Sequence, residues 1–514
     1  MTQPVKSLVI AGGGTAGWMC AAILSHYLPK TIRIQLIESE QIGTIGVGES
    51  TVPPFVEMIR RLGIDEQDFI RQTQGSFKLG IRFKDWRHKG EEYYHPFGHI
   101  GGIIDDQDFY QHWLRARHLG DDTPLQTYSA AGEMARNHKF MLPFRAPRTP
   151  IASAAYALHV DASLVAKYLR RFAEDKGVTR HEGMIGRVDQ DARGFISALE
   201  LTDGRRIEGD LFLDCTGFRA LLIEKALGVG YVDWSKELLC DRAIALQTEN
   251  INDPHPYTYA EAQDAGWRWR IPLQHRAGNG YVYSSRHISD EDATKTLLSQ
   301  VEGQPVTKPM VVPFRTGMRT EIWAKNCISV GLASGFIEPL ESTAIHLIYR
   351  SMDFLLRYFP GADCDANLVR EYNLRMGTDY TEIKDFVVLH YCLTQRDDTP
   401  FWRDVQAAPV AESLREKIAL FAENGSLRAG ADDLFRAPSW QSVMDGMGVK
   451  PRRYNLLVDR VSEADLRATL KAVREQLPAF VATLPSHGEF LRANCPAVTT
   501  EKIIGHEKHE KQMS

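Results

Sequence analysis

Two side chains far apart in the chain have the chemistry to act on one small molecule. Lys78 stands in FKLGIRFKDW, where Phe77, Leu79, Ile81 and Phe83 alternate with Lys78, Gly80, Arg82 and Lys84, so a strand would turn the lysine away from the apolar face. A lysine so placed is ordinarily solvated; drawn into an apolar site, its amine would become a hydrogen-bond donor or a nucleophile. Glu341 stands in GLASGFIEPLESTAIHLIYR (331–350), a Gly-rich turn that runs through a proline bend into an apolar helix. Free N–H groups at a helix start attract an anion. Glu341 at that place is either a base beside a halide-sized anion or a plain helix cap.

The elements that must position these residues begin at the N-terminus. Residues 7–11 read as a buried strand, 12–17 (GGGTAG) as a loop, 18–27 as a helix and 32–38 as a second strand, which is a βαβ unit. In it Gly12 makes the turn, Gly14 lets a pyrophosphate approach the backbone, Gly17 lets helix and strand pack, and Glu38 is placed to accept from a ribose hydroxyl. GTIGVGESTVPP (43–54) is either a strap over a flat ring or a surface loop. Helices are expected at 55–62, 65–72, 107–118 and 161–176, the last capped by Asp161, with 119–150 irregular. A strand meander over 183–210 returns through Asp214 to Cys215-Thr216-Gly217, a second strand-to-glycine junction that favours FAD over NAD. Trp267 and Trp269 alternate in GWRWRIP and form either an indole wall or core. The strand at 328–331 leads into the element bearing Glu341, whose helix runs to 359. Long helices are expected at 365–394, 410–424 and 462–477, with irregular stretches at 396–402 and 437–455.

Composition limits the partners. At 514 residues, 43% apolar, 25% charged and a net charge of −5, the chain can bury a large site but offers no basic field for nucleic acid. No apolar run is long enough to span a membrane, and the apolar stretch near the start is a nucleotide loop rather than a signal sequence. Seven cysteines without CxxC pairs point to the cytoplasm, and no metal site is expected.

Taken together, the motifs GGGTAGW (12–18), GVGEST (46–51), SFK (76–78), DCTGF (214–218), GWRWRIP (266–272) and FIEPLESTA (336–344) resemble those of the flavin-dependent halogenases of the tryptophan-halogenase family. The resemblance implies an α/β (α+β) flavin-monooxygenase fold: an FAD-binding module over 1–360, a largely helical substrate-side region over 361–500 and a polar tail over 501–514. It implies FADH2 from a separate NAD(P)H-dependent flavin reductase, with O2 and chloride or bromide. Halide would attack a flavin hydroperoxide, and the hypohalous acid would pass through a tunnel to an electron-rich arene such as indole. By position, the tunnel lysine falls on Lys78 and the essential glutamate on Glu341, with the halide on the amides of Thr343 and Ala344. FAD would be held by Gly12, Gly14, Thr15, Ala16, Gly17, Glu38, Val47, Gly48, Ser50, Asp214, Gly217, Gly331 and Phe336. Trp267, Trp269, Ile271 and Pro272 would wall the tunnel, and His95, Pro96, Phe97 and Trp402 would hold the substrate ring. A homodimer is compatible with this reading.

Two departures stand out. Ala344 replaces a family glycine, which matters if that position needs a positive φ and could shift halide preference towards bromide. The stretch 439–455 lacks the family's clamp for a free amino acid. The alternatives are a flavin-dependent aromatic hydroxylase, which an indole wall between flavin and substrate would forbid, and a catalytically silent flavin-binding protein.

Overall fold

The computed structural model of the chain describes residues 3–42, 48–428, 430 and 432–498. Its nucleotide-side sheet runs, in order, Trp323–Ala324, Cys327–Ser329, Leu211–Asp214, Ser7–Ala11, Arg33–Glu38 and Thr179–Glu182. Ser7–Ala11 is buried throughout because both faces are covered, as its unbroken apolar run requires. All neighbours pair parallel except the edge strand Trp323–Ala324. Ala11 lies opposite Asp214, and Asp214 opposite Ser329, so the loops beginning at Gly12, Cys215 and Val330 leave the sheet side by side. Ligands of such sheets sit at these carboxyl ends.

A seven-stranded sheet runs Met310–Pro313, Arg242–Glu249, Arg276–Tyr283, Gly266–Pro272, Thr258–Gln263, Gly80–Lys84 and Glu92–Pro96. It carries the paired tryptophans at its middle and His95 on its last strand. In register, Thr258 pairs with Ile81, and Ile81 with His95, one row across three strands. A small sheet joins Gly48–Ser50 and Ser76–Lys78 through Ala157–Asp161, with both Ser50 and Ser76 opposite His159. It therefore fixes the strand after 43–47 against the strand that bears Lys78.

Several elements differ from expectation. The first helix is Gly14–Tyr27 and starts inside the glycine loop, because the Gly17 amide already bonds the Gly13 carbonyl at 3.3 Å. The stretch 119–150 contains the helix Ala130–Arg136, capped by Ser129. Helices Pro400–Ala407 and Ala437–Gly446 begin within 396–402 and 437–455; proline at the start of each is a helix initiator where it reads in sequence as a breaker. Asp161 caps Ala162–Asp175 as expected, accepting from the Ser163 and Leu164 amides. Regular elements beyond residue 361 are all helical among the described residues, and none is long and apolar enough to cross a membrane.

Candidate active site

Where the three loops leave the nucleotide-side sheet, a cavity of about 360 Å³ opens towards the seven-stranded sheet. Thr15, Ala16, Gly48, Ser50, Gly217, Gly331, Phe336, Thr343, Ala344, Trp267, Trp269 and Ile271 all line it. The volume falls in the range of cofactor pockets. Its cradle needs glycine: Gly12 has φ +102°, and a Cβ on it would lie 2.4 Å from the Cys215 carbonyl oxygen. A Cβ on Gly13 would fall 1.8 Å from Glu38 Oε2. The loop thus lies flat against Glu38, and a long ligand can follow it. These features fit a dinucleotide such as FAD, which would run from Thr15 and Ala16 to the indole wall. Glu38 reaches the loop with both oxygens engaged, Oε2 accepting from Trp18 Nε1 at 3.0 Å and Oε1 from Arg180 Nε at 2.7 Å.

The two tryptophans, 6.0 Å apart between ring centroids and tilted by 54°, form one wall. Opposite them the chain makes a 3-10 turn, Pro339–Glu341, and a reversal at Ser342 with φ +62°; the helix then begins at Ala344. Glu341 accordingly lies ahead of the helix and is not its cap. The left-handed conformation falls on Ser342, while Ala344 opens Ala344–Arg357 with no positive φ, so its Cβ costs the backbone nothing. No side chain caps this helix, so its first amides have no side-chain partner, and Thr343 and Ala344 line the cavity.

Lys78 is fully buried. The alternating pattern breaks because Ser76–Lys78 belongs to the small sheet and Gly80–Lys84 to the large one. The amine donates to the Thr51 carbonyl at 3.1 Å and to Ser342 Oγ at 3.0 Å, and lies 5.0 Å from the Phe97 ring centroid. Burial pulls its pKa down to about 7, against the pull of Glu341. Near neutral pH the amine is therefore divided between a charged donor and a neutral nucleophile.

Glu341, 1% exposed, is gripped from both sides. His95 Nδ1 donates to Oε2 and His390 Nε2 to Oε1, each at 2.9 Å, and Tyr93 donates to His390 Nδ1 at 2.7 Å. Burial alone would raise the carboxyl, but the His95 and His390 donors hold it down at about 2. Sequence reasoning missed His390 and Tyr93. Tyr93 shares the His95 face of Glu92–Pro96 by two-residue alternation, and His390 stands four residues past Phe386, whose ring packs against His95 at 5.5 Å. Glu49 was also missed; it faces the cofactor cavity with a carboxyl that burial pushes up to about 7.

Glu338 is a second buried carboxyl in the same segment. Trp267 Nε1 approaches its Oε2 at 3.5 Å, and Oε1 has no partner. Burial pushes it up to about 7. A carboxyl raised in the folded state favours folding below its unfolded value and loses that advantage as pH rises towards 7. Glu338→Gln is therefore expected to stabilise the protein by about 3 kcal/mol at pH 8 and hardly at pH 4, read as the difference between thermal-shift curves at the two values.

Other expected site residues lie elsewhere. Asp214 is spent on its own turn: Oδ1 accepts from the Thr216 amide and hydroxyl, Oδ2 from the Leu222 and Ile223 amides. It shapes the Gly217 loop without reaching the cavity. Trp402 is packed in the core against Trp86 and Phe401, its indole donating to the Gln263 carbonyl at 2.9 Å, and does not line the cavity. Pro272 ends its strand outside the cavity and accepts from Ser76 Oγ. His95 and Phe97 stand at the Lys78 and Glu341 end, with Pro96 buried between them. Val47 lies outside the described residues.

Comparison with known proteins bears directly on this arrangement. The tryptophan halogenase family model matches residues 7–463. The chain belongs to that family. A tryptophan 6-halogenase of Streptomyces albogriseolus is 35% identical over 96% of this chain and 99% of its own. A tryptophan 7-halogenase of Lentzea aerocolonigenes is 32% identical over 96% and 99%. Among solved structures, a flavin-dependent halogenase of Xanthomonas campestris superposes with a TM-score of 0.92 at 46% identity, covering 97% of this chain and 100% of that one. The chain is thus a flavin-dependent halogenase of mixed α/β fold, an enzyme using flavin, oxygen and halide.

Proposed function

We propose that this halogenase chlorinates or brominates indole or an indole derivative that need not carry a free amino acid group. The observation that supports this reading is the hydrogen bond of the buried Lys78 to Ser342, the residue after Glu341, which borders the same dinucleotide-sized cavity as the two indoles. The stretch 439–455, where relatives named for free tryptophan would need an amino acid clamp, instead begins as a helix whose Trp440 is buried and bonded to the Phe435 carbonyl at 3.0 Å.

When bound, reduced FAD from a separate NAD(P)H-dependent reductase supplies, with oxygen and halide, hypohalous acid. The Thr343 and Ala344 amides hold the halide at the helix start. Trp267, Trp269 and Ile271 keep the arene away from the cofactor. Lys78 receives the oxidant at the end of the path, either as a donor to its oxygen or, deprotonated, by taking the halogen on nitrogen. Glu341 stabilises the positive charge that develops on the ring. The enzyme would work in the cytoplasm.

The test is mass spectrometry of reactions containing FAD, a reductase, NADH and either chloride or bromide, over indole, tryptophan, pyrrole and phenol. Halogenated indole is the expected product. A hydroxylated product without halogen would replace this reading with the hydroxylase.

A further inference from the structure

The small sheet sets Glu49 in the wall of the cofactor cavity. Its strand, Gly48–Ser50, pairs antiparallel with Ala157–Asp161, Glu49 lying opposite Val160. The same strand is laid closely on the seven-stranded sheet, where a Cβ on Gly278 would lie 3.2 Å from Gly48 Cα. Among the described residues that line the cavity, Glu49 is the single Asp, Glu, Lys, Arg or His; the rest of the wall is glycine, apolar side chains, hydroxyls and the Cys215 thiol. Its carboxyl has no hydrogen bond or ion pair with any described residue.

The charged and titratable groups on the strands packed against Gly48–Ser50 are engaged elsewhere. Arg276 is paired with Asp161, Arg268 with Glu261 and Arg270 with Glu302. His159 is bonded to Ser76 and Thr258, the Tyr281 hydroxyl accepts from the Ala265 amide, and the Tyr283 hydroxyl donates to Asp290. Burial by itself therefore moves the Glu49 carboxyl, and near neutral pH it is divided between acid and anion. The Cys215 thiol, hydrogen-bonded to Cys20, and the buried Tyr380 hydroxyl are both pushed up and stay neutral. Lys78 and Glu338 also titrate near neutrality, but they meet this wall through other side chains, Ser342 and Trp267. A lone carboxyl in an apolar wall is costly unless a ligand supplies its partner. The dinucleotide that fits this cavity is rich in acceptors and carries the negative charge of its pyrophosphate. An ionised Glu49 would repel it, whereas a neutral Glu49 can donate its O–H.

We propose that Glu49 is a ligand of FAD that acts as the neutral acid, donating its O–H to an acceptor on the cofactor, so that FAD binding takes up a proton. This rests on the cavity being the FAD site. The proton comes from solvent to the carboxylate oxygen, and no bond of the cofactor forms or breaks. Because the complex holds this proton to higher pH than the free protein does, affinity is greatest below about 7 and falls as pH rises above it. A halide entering the same cavity then meets a wall whose one carboxyl is uncharged.

The experiment titrates oxidised FAD, whose own groups do not titrate between pH 6 and pH 8.5, into the flavin-free protein. Binding is followed by flavin fluorescence, and proton uptake by calorimetry in two buffers of different ionisation enthalpy. For wild type, the expected dissociation constant is about 10-fold or more higher at pH 8.5 than at pH 6, with about one proton taken up per FAD at pH 8. Glu49→Gln keeps an N–H donor and no charge; at both pH values it should bind within about twofold of the wild-type value at pH 6, without proton uptake. Glu49→Ala should bind equally weakly at both, and Lys78→Met and Glu338→Gln should keep the wild-type slope. A wild type without slope or proton uptake overturns the inference, and that measurement needs no variant. So does a slope that survives in Glu49→Gln or vanishes in Lys78→Met or Glu338→Gln, or a Glu49→Ala protein that binds as tightly as Glu49→Gln. A wild type that binds no FAD at either pH would instead remove FAD from this cavity.

Discussion

Lys78→Ala is expected to leave FAD binding and oxygen consumption intact while reducing halogenated arene by about 1000-fold or more. The amine is the buried cation nearest the turn that carries Glu341, and its hydrogen bonds to Thr51 and Ser342 fix it at that turn. Without it, the groups the amine touches, the Thr51 carbonyl, Ser342 and the Phe97 ring, supply no ammonium to polarise hypohalous acid. The measurement is product by mass spectrometry alongside peroxide release; undiminished product would remove Lys78 from the mechanism. Stability supplies an independent reading. A lysine whose pKa falls to about 7 in the folded state binds fewer protons than the unfolded chain between about 7 and its ordinary value of 10.5, so stability rises with pH across that window. Lys78→Met lacks that slope, and its gain in melting temperature over wild type should be larger at pH 6 than at pH 10.

Glu341→Gln is the second large effect. The amide keeps an acceptor for one imidazole but presents N–H to the other, so one of the two 2.9 Å contacts becomes a clash of donors unless that histidine changes tautomer. Hypohalous acid should still be trapped, because the helix amides and the indole wall are untouched, while arene halogenation falls by about 100-fold to 1000-fold. Equal activity in both assays would show that the Glu341 charge is not used. The acid limb separates charge from packing: with its carboxyl held at about 2, Glu341 stabilises the fold above the ordinary carboxylate value, and that contribution is lost as pH falls from about 4.5 towards 2. The glutamine variant should show a shallower loss of melting temperature over this range.

Much of the site was legible because its parts are local. The glycine loop, the acid at the end of the second strand and the Asp161 cap each declare themselves within one element, and the structure forms each at that place. What escaped depends on partners distant in sequence. Periodicity turns Lys78 towards solvent; the break between two sheets, with Lys78 paired to Ala157 in the small one, buries it. His390 reaches Glu341 across 49 positions, and no spacing rule links them. Asp214 reads like a ligand for the nucleotide, yet its acceptors are filled by amides eight and nine residues downstream. Trp402 shows the same ambiguity for aromatics: a tryptophan that stacks on a substrate and one that fills a core have the same sequence.

The row of paired residues Thr258, Ile81 and His95 makes the large sheet a ruler. Thr258 borders the cofactor cavity and His95 the aromatic end, two strand spacings apart, or about 10 Å measured along backbone hydrogen bonds. That length is written in main chain, and side-chain exchange cannot shorten it. Side-chain exchange can widen the aromatic end or admit a bulkier guest, yet the spacing between Thr258 and His95 across the sheet stays constant. The aromatic end and the border of the cofactor cavity are in this sense separately adjustable.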